Sequence, residues 1–243
     1  MKAPSGFTVA SSEVYPRLII SMEGRPKQGK SHFALTAPDP ICYLNLDSGL
    51  EGVVHKFSGD KQVFVSKYES PVNLKDTYPD KDQAEKVWHQ FKGDYARAVY
   101  SEARTVVVDT ATEAHELVRL ARFGKLSQVQ SWNYGPVNYE FKSLLDEALK
   151  NPKVNVIFLH KQKDQYVKDK RTGLYERAGF SGIEYIVQDF MQIFWDDEGP
   201  NIEFLDSRHN KDLVGTVITG LDVCNFQTVA MMLMPDVDPS AWV

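Results

Sequence analysis

Apolar residues along this chain gather into short runs separated by glycine, proline and charge. The first, residues 17–22 (RLIISM), is broken by Gly24 and Pro26 and reads as a buried strand running into a loop. A helix opening over residues 31–35 follows, and Pro38 and Pro40 end it. Residues 41–46 (ICYLNL) and 61–66 (KQVFVS) give two more strands, and the prolines and charges of 70–82 give a loop. Ala84, Val87, Trp88 and Phe91 recur at helical spacing, which predicts a helix over 82–101 in spite of Gly93. The β-branched run TVVV, 105–108, ends on Asp109, and a helix is predicted over 112–123. Residues 124–136, with Trp132 and Tyr134, read as loop; 139–149 as an amphipathic helix; and 154–159 (VNVIFL) as another apolar strand.

Beyond residue 160 the strands crowd together. Residues 166–177 (YVKDKRTGLYER) read as two short strands about a polar turn at Arg171, Thr172 and Gly173. Residues 190–195, 201–205 and 213–218 give three more. Strands alternating with helices, then strands alone, predict an α/β fold: a largely parallel central sheet flanked by helices, with an antiparallel C-terminal extension. One domain is expected, its core at about 17–220, with terminal arms at 1–16 and 235–243.

Composition narrows the classes. A chain of 243 residues with 42 % hydrophobic content buries a full core and is not globally disordered. The 28 Lys and Arg against 33 Asp and Glu give a net charge of −5, which excludes a uniformly basic coat. Any nucleic-acid contact must then be a local patch. Two cysteines, Cys42 and Cys224, exclude a disulfide scaffold or a zinc module, and Cys42 is expected as a core thiol in a reducing compartment. No apolar run approaches the roughly 18 residues of a membrane span. The opening MKAPSGFTVASS lacks an apolar segment after its lysine, so a soluble, unexported protein is expected.

The strongest chemical signal is GRPKQGKS, residues 24–31, which fills the pattern G-x-x-x-x-G-K-[ST] between a predicted strand and a predicted helix. Its glycines let the backbone curl until several N–H groups face one anion, and the helix N-terminus adds partial positive charge. The expected nucleotide-binding set is Gly24, Arg25, Pro26, Lys27, Gln28, Gly29, Lys30 and Ser31, with His32 beside it. Lys30 is expected to reach the β- and γ-phosphates, and Ser31 to ligate Mg²⁺. An acid at the end of a parallel strand projects into the crevice where ligands sit, so Asp109 is expected in the same metal shell.

Together GRPKQGKS, YLNLDSGLEG, TVVVDTATE and VIFLHKQKD resemble the RecA-like P-loop ATPases, over about residues 17–220. More narrowly they resemble the phage-encoded, AAA-type members that accompany single-strand annealing and recombination. The resemblance implies ATP and Mg²⁺ as cofactors and DNA-stimulated ATP hydrolysis at a subunit interface, within a homo-oligomeric ring or filament. It implies single-stranded DNA as a partner, a single-strand-binding or annealing protein as a further one, no membrane, and a place in the host cytoplasm. RecA-like enzymes carry an acidic base just after the strand that follows the phosphate-loop helix. Asp47 stands at that position and Glu51 one helical turn later, so the base is either; an Asp there departs from the usual Glu. The resemblance also places a γ-phosphate sensor at the end of VNVIFLH, where His160 or Lys161 would serve. In SRHNKDLVG, residues 207–215, it makes Arg208 and Lys211 cations offered to a neighbouring subunit's nucleotide.

In RecA-like proteins the loop after the sensor strand touches DNA. Here that segment carries Lys161, Lys163, Lys168, Lys170, Arg171 and Arg177 against Asp164, Asp169 and Glu176, interleaved with Tyr166 and Tyr175. Cations for phosphates and flat rings for bases are what single-strand binding needs. Trp132 and Tyr134 give a second candidate contact, and a solvated hairpin with its tyrosines packed on the body is the plainer reading. The tail, residues 235–243, either docks on a partner or covers its own subunit through Trp242. Three other functions share the phosphate loop: an ATP-binding loader or clamp with little turnover; a small-molecule phosphotransferase with the basic hairpin as lid; and a GTPase switch, for which HNKD at 209–212 is one residue short of the guanine-reading spacing.

Overall fold

A computed structural model describes residues 14–243, apart from 48, 58, 60, 73–78 and 127–128. Nine strands are present among the described residues, in the order β3-β2-β4-β5-β1-β7-β8-β9, with β6 paired to β5. The first six of that order are β3 (Val63–Lys67), β2 (Ile41–Asn45), β4 (Thr105–Asp109), β5 (Asn155–Val167), β1 (Ile19–Gly24) and β7 (Asp189–Asp196), and they run parallel. From β7 the sheet turns antiparallel through β8 (Gly199–Ser207) and β9 (Val217–Thr219). The expected α/β architecture is the observed one.

Strand β1 lies between β5 and β7 and is buried along its whole length. Its side chains alternate between two cores, as a strand covered on both faces requires. Ile19 joins Phe91, Tyr95, Phe141 and Phe158 beneath α2 (Lys81–Val99), α3 (Ala111–Phe123) and α4 (Gly135–Lys150). Leu18, Ile20 and Met22 join Phe33 and Phe226 beneath α1 (Lys30–Leu35) and α5 (Phe226–Leu233). Helix starts carry their own signals: Asp80 accepts from Gln83 N at 3.0 Å, Thr110 from Glu113 N at 3.2 Å and Asn225 from Thr228 N at 2.9 Å.

Several expected elements shift. β5 runs eight residues past the end of its apolar run, because its outer half leaves the sheet and pairs with β6 (Lys170–Arg177) alone. The turn of that hairpin is at Lys168 and Asp169, with φ of 51° and 60°, and not at 171–173. A two-residue turn with both φ values positive matches strand twist, and Asp tolerates that region. Residues 211–213 form a short 3-10 turn, so the last strand begins at Val217 rather than at 213. Helix α4 starts four residues earlier than its periodicity predicts. Helix α5 buries Phe226, Val229, Ala230 and Leu233, one face of the helix, in the core that the tail's Trp242 joins. Trp242 is buried at 1 % exposure and packs on Phe226 at 6.3 Å, so the tail covers its own chain.

Candidate functional site

The phosphate loop leaves the C-terminal end of β1 and enters α1. Gly24 must be glycine, since a Cβ there would stand 2.6 Å from the carbonyl oxygen of Ile193 on β7. Gly29 takes φ 95°, the left-handed region that favours glycine, and Lys27 shares it at 67°. The Gln28 side-chain carbonyl accepts the Trp195 N–H, which pins the loop to the end of β7. Lys30 is buried, and its ammonium donates to the carbonyls of Gly24 at 2.8 Å and Arg25 at 2.9 Å. Burial pulls its pKa down against the pull of Asp109 and Asp47.

The acid strand does not adjoin β1; β5 lies between them. Parallel register nevertheless brings Asp109, the last residue of β4, level with Leu159 on β5 and hence with the mouth of the loop. Asp109 accepts from Ser31 Oγ at 2.9 Å and from the Tyr43 hydroxyl. At 2 % exposure its pKa is raised by burial, with the Tyr43 and Ser31 hydrogen bonds pulling the other way. The peptide between Asp109 and Thr110 is cis.

Asp47 follows β2 and accepts the Gly49 N–H at 2.6 Å. Gly49 sits where three oxygens converge: a Cβ on it would lie 2.8 Å from Asp47 Oδ1 and 3.3 Å from both Asp109 Oδ2 and Ser31 Oγ. This cradle of hard oxygens fits Mg²⁺, which binds through one or two carboxylates and keeps waters and phosphate oxygens as its other ligands. Ser31 and Asp109 would hold it, with Asp47 alongside. No group of three or more His, Cys, Asp and Glu side chains poised for a metal occurs among the described residues.

Lys161 bridges two carboxylates at the rim. Its ammonium pairs with Glu113 and lies 3.5 Å from Asp47. Burial opposes its charge, but Glu113 and Asp47 outweigh that and raise its pKa. His160 points the other way, under α3 and Gly179, with no exposed surface. Burial drives its pKa down to about 3, so the ring is neutral. Of the two residues expected as sensor, only Lys161 lines the cavity. Glu51 lines it too, on the exposed side.

These groups share one cavity of about 810 Å³. Pro26, Lys27, Gly29, Lys30, Ser31 and His32 of the phosphate-loop set line it. Arg25 instead lies over the Tyr175 ring, 4.7 Å from its centroid. Arg208 and Lys211 stand elsewhere. Arg208 donates to the Tyr185 carbonyl at 2.7 Å and Lys211 pairs with Asp206, at the end of β8 that faces the start of β7. That is the opposite end of the sheet from the loop, so neither can reach the nucleotide site of its own chain.

The hairpin carries its expected residues unevenly. Tyr166 is 60 % exposed, and Lys168 and Lys170 stand exposed at the turn. Lys163 is paired with Glu176 at 3.1 Å and Arg171 with Asp164 at 2.5 Å. Arg177 corrects the expectation: its side chain is 7 % exposed, it pairs with Glu184 and lies over Phe190, so it belongs to the body. Trp132 is 74 % exposed, whereas Tyr134 packs against Phe123 and Arg119.

Glu113, Tyr43 and Gly49 are among the site residues that escaped the sequence reading. Glu113 had a signal, since Thr110 and Glu113 form the T-x-x-E of a helix start: the Thr110 hydroxyl accepts the Glu113 N–H and donates to the Glu113 carboxylate. Tyr43 had only its place on a strand neighbouring the acid strand. Gly49 had none beyond being a glycine.

The family described as an AAA domain matches residues 17–190, from the first buried strand to the start of β7. A comparison with curated proteins returned no match. Among the described residues no helix is long and apolar enough to cross a membrane. With well over half of its length matched, and with an ATPase-type nucleotide loop facing a strand-end acid, the chain belongs to the AAA domain family.

Proposed function

We propose that this protein is a Mg²⁺-dependent ATPase that works on or with single-stranded DNA in recombination or replication, and turns over at an interface between subunits. One observation carries the reading: Lys30, Ser31, Asp109, Asp47 and Lys161 line a single cavity at the end of the parallel sheet. Bound Mg²⁺ would supply neutralisation of charge on the β- and γ-phosphate oxygens. The loop's N–H groups and Lys30 hold the phosphates in line. Asp47 orients the attacking water and takes its proton, and Lys161 is the cation nearest both that carboxylate and Glu113.

The exposed Tyr166, Lys168 and Lys170 of the hairpin, with Trp132, supply rings and cations for a single strand. Arg208 and Lys211 lie far from their own chain's site, which supports a role for them in a neighbouring subunit's, in a ring or filament. A second reading has its own support: the Lys161 ammonium lies 3.5 Å from Asp47, and a base held by a cation would suit a loader that binds ATP and hardly turns it over.

The test is steady-state ATP hydrolysis at low salt, with and without single-stranded DNA, over a range of protein concentrations. Stimulation by DNA that rises faster than linearly with protein is the expected result. Lys168→Glu with Lys170→Glu should weaken DNA binding and flatten its salt dependence while basal turnover holds. Turnover linear in protein and indifferent to DNA would refute the reading.

A further inference from the structure

The cavity extends past the phosphate loop into an apolar wall. Ile193 and Trp195 of β7, Pro200 of β8, and Leu221 and Cys224 from the turn before α5 build it. Trp195 is held in place by its backbone, through the N–H that Gln28 accepts. Its indole abuts the loop: Nε1 lies 3.5 Å from the position a Cβ would take on Gly29. Yet Trp195 as a residue stays 48 % exposed. Among the hydrogen-bonding groups of this wall, the Cys224 thiol is already spent on the Pro200 carbonyl at 3.2 Å.

A flat ring beside the glycine that precedes the phosphate-binding helix, left half open, offers a base a surface next to the phosphate site. Leu221, exposed at 69 %, lengthens the same wall. Every base has a π face, so stacking on an indole depends on ring area and not on exocyclic groups. A purine, with two fused rings, covers more of the indole than a pyrimidine does.

We propose that Trp195 is the platform on which the base of a bound nucleoside triphosphate stacks, making it a specificity-determining residue that favours purines over pyrimidines. This rests on the nucleotide reading given above. The contribution of the platform is equal for ATP and GTP, because the indole reads area.

The experiment is calorimetric titration of the wild type, Trp195→Ala and Trp195→Phe with Mg²⁺ complexes of ATP, GTP, CTP and inorganic tripolyphosphate. Trp195→Ala should weaken ATP and GTP alike by about tenfold, within the range that removing one aromatic stack gives. CTP should lose about threefold, tripolyphosphate should be unchanged, and Trp195→Phe should keep most of the purine affinity. If tripolyphosphate weakens as much as ATP, the indole props the loop and the proposal is overturned. It is equally overturned if no ligand weakens. If the wild type binds neither ATP nor tripolyphosphate, the nucleotide reading falls first and takes this one with it.

Discussion

Tyr43→Phe removes one oxygen from the centre of the site and tests how Asp109 is kept charged. Asp109 is 2 % exposed and Tyr43 is 1 % exposed, so the lost hydroxyl leaves its place in buried surroundings. Asp109 would keep the Ser31 hydrogen bond at 2.9 Å as its remaining side-chain donor. Removing a donor from a buried charged acceptor costs about 1.5–3 kcal/mol. Taking a urea slope of about 3 kcal/mol per molar for a chain of this size, the unfolding midpoint should fall by about 0.5–1 M at pH 7.5.

The pH dependence of that loss is the sharper test. Burial raises the Asp109 pKa above its ordinary 3.8, and the Tyr43 hydrogen bond holds it back. A carboxyl whose folded pKa is raised binds its proton more tightly folded than unfolded. Its contribution to stability is therefore largest below 3.8 and is lost as pH rises through the folded value. The variant raises that folded value further. The gap between variant and wild type should accordingly narrow as pH falls from 7.5 toward 4.5. The assay is urea unfolding of both proteins, without nucleotide, at several pH values across that range. Equal midpoints at pH 7.5, or a gap that widens in acid, would refute the reasoning.

Three further outcomes follow from the same geometry. Lys30→Ala removes the one buried ammonium of the phosphate loop and should abolish ATP turnover in steady-state assays; near-normal turnover would sink the assignment of the loop. Gly24→Ala puts a methyl group 2.6 Å from the Ile193 carbonyl and should destabilise the fold by about 1–3 kcal/mol in denaturant titration, as overpacking does. Lys161→Met leaves Asp47 and Glu113 without their shared cation; ATP turnover should fall by at least tenfold while binding of Mg²⁺–ADP, measured by calorimetry, changes less than threefold.

How much of this was legible beforehand depends on the range of the interactions involved. The phosphate loop and Asp109 were readable because each role is carried by residues adjacent in sequence: a glycine curl entering a helix, an acid ending an apolar strand. The hairpin was readable as a hairpin but not in register, because Gly173 is the usual turn signal and the turn fell instead on Lys168 and Asp169. Arg177 looked like its basic neighbours in sequence. Only folding sets it over Phe190 and beside Glu184, and turns a surface cation into a buried strut. Tyr43 and Trp195 were silent for the same reason. Each acts on a residue 66 or 167 positions distant in the chain, through contacts that a local pattern does not encode.

The strand order explains why the site has this form. Because β5 separates β1 from β4, the phosphate loop and the acid face each other across the end of a third strand, and Lys161 lies on that strand where the gap between them is bridged. The same strand runs on to Val167, with a bulge between Asp164 and Tyr166, so Lys161 at the cavity and Tyr166 on the hairpin belong to one strand. Two side contacts brace it: Gln162 donates to Glu23 at 2.9 Å beside the loop's first glycine, and Arg25 covers Tyr175. Had β4 been the neighbour of β1, Asp109 would sit directly against the loop and no residue would stand between them. The inserted strand therefore does two things at once. It opens the space in which Asp47, Asp109 and Ser31 converge around Gly49, and it anchors the exposed hairpin on the same backbone that carries the cation of the site.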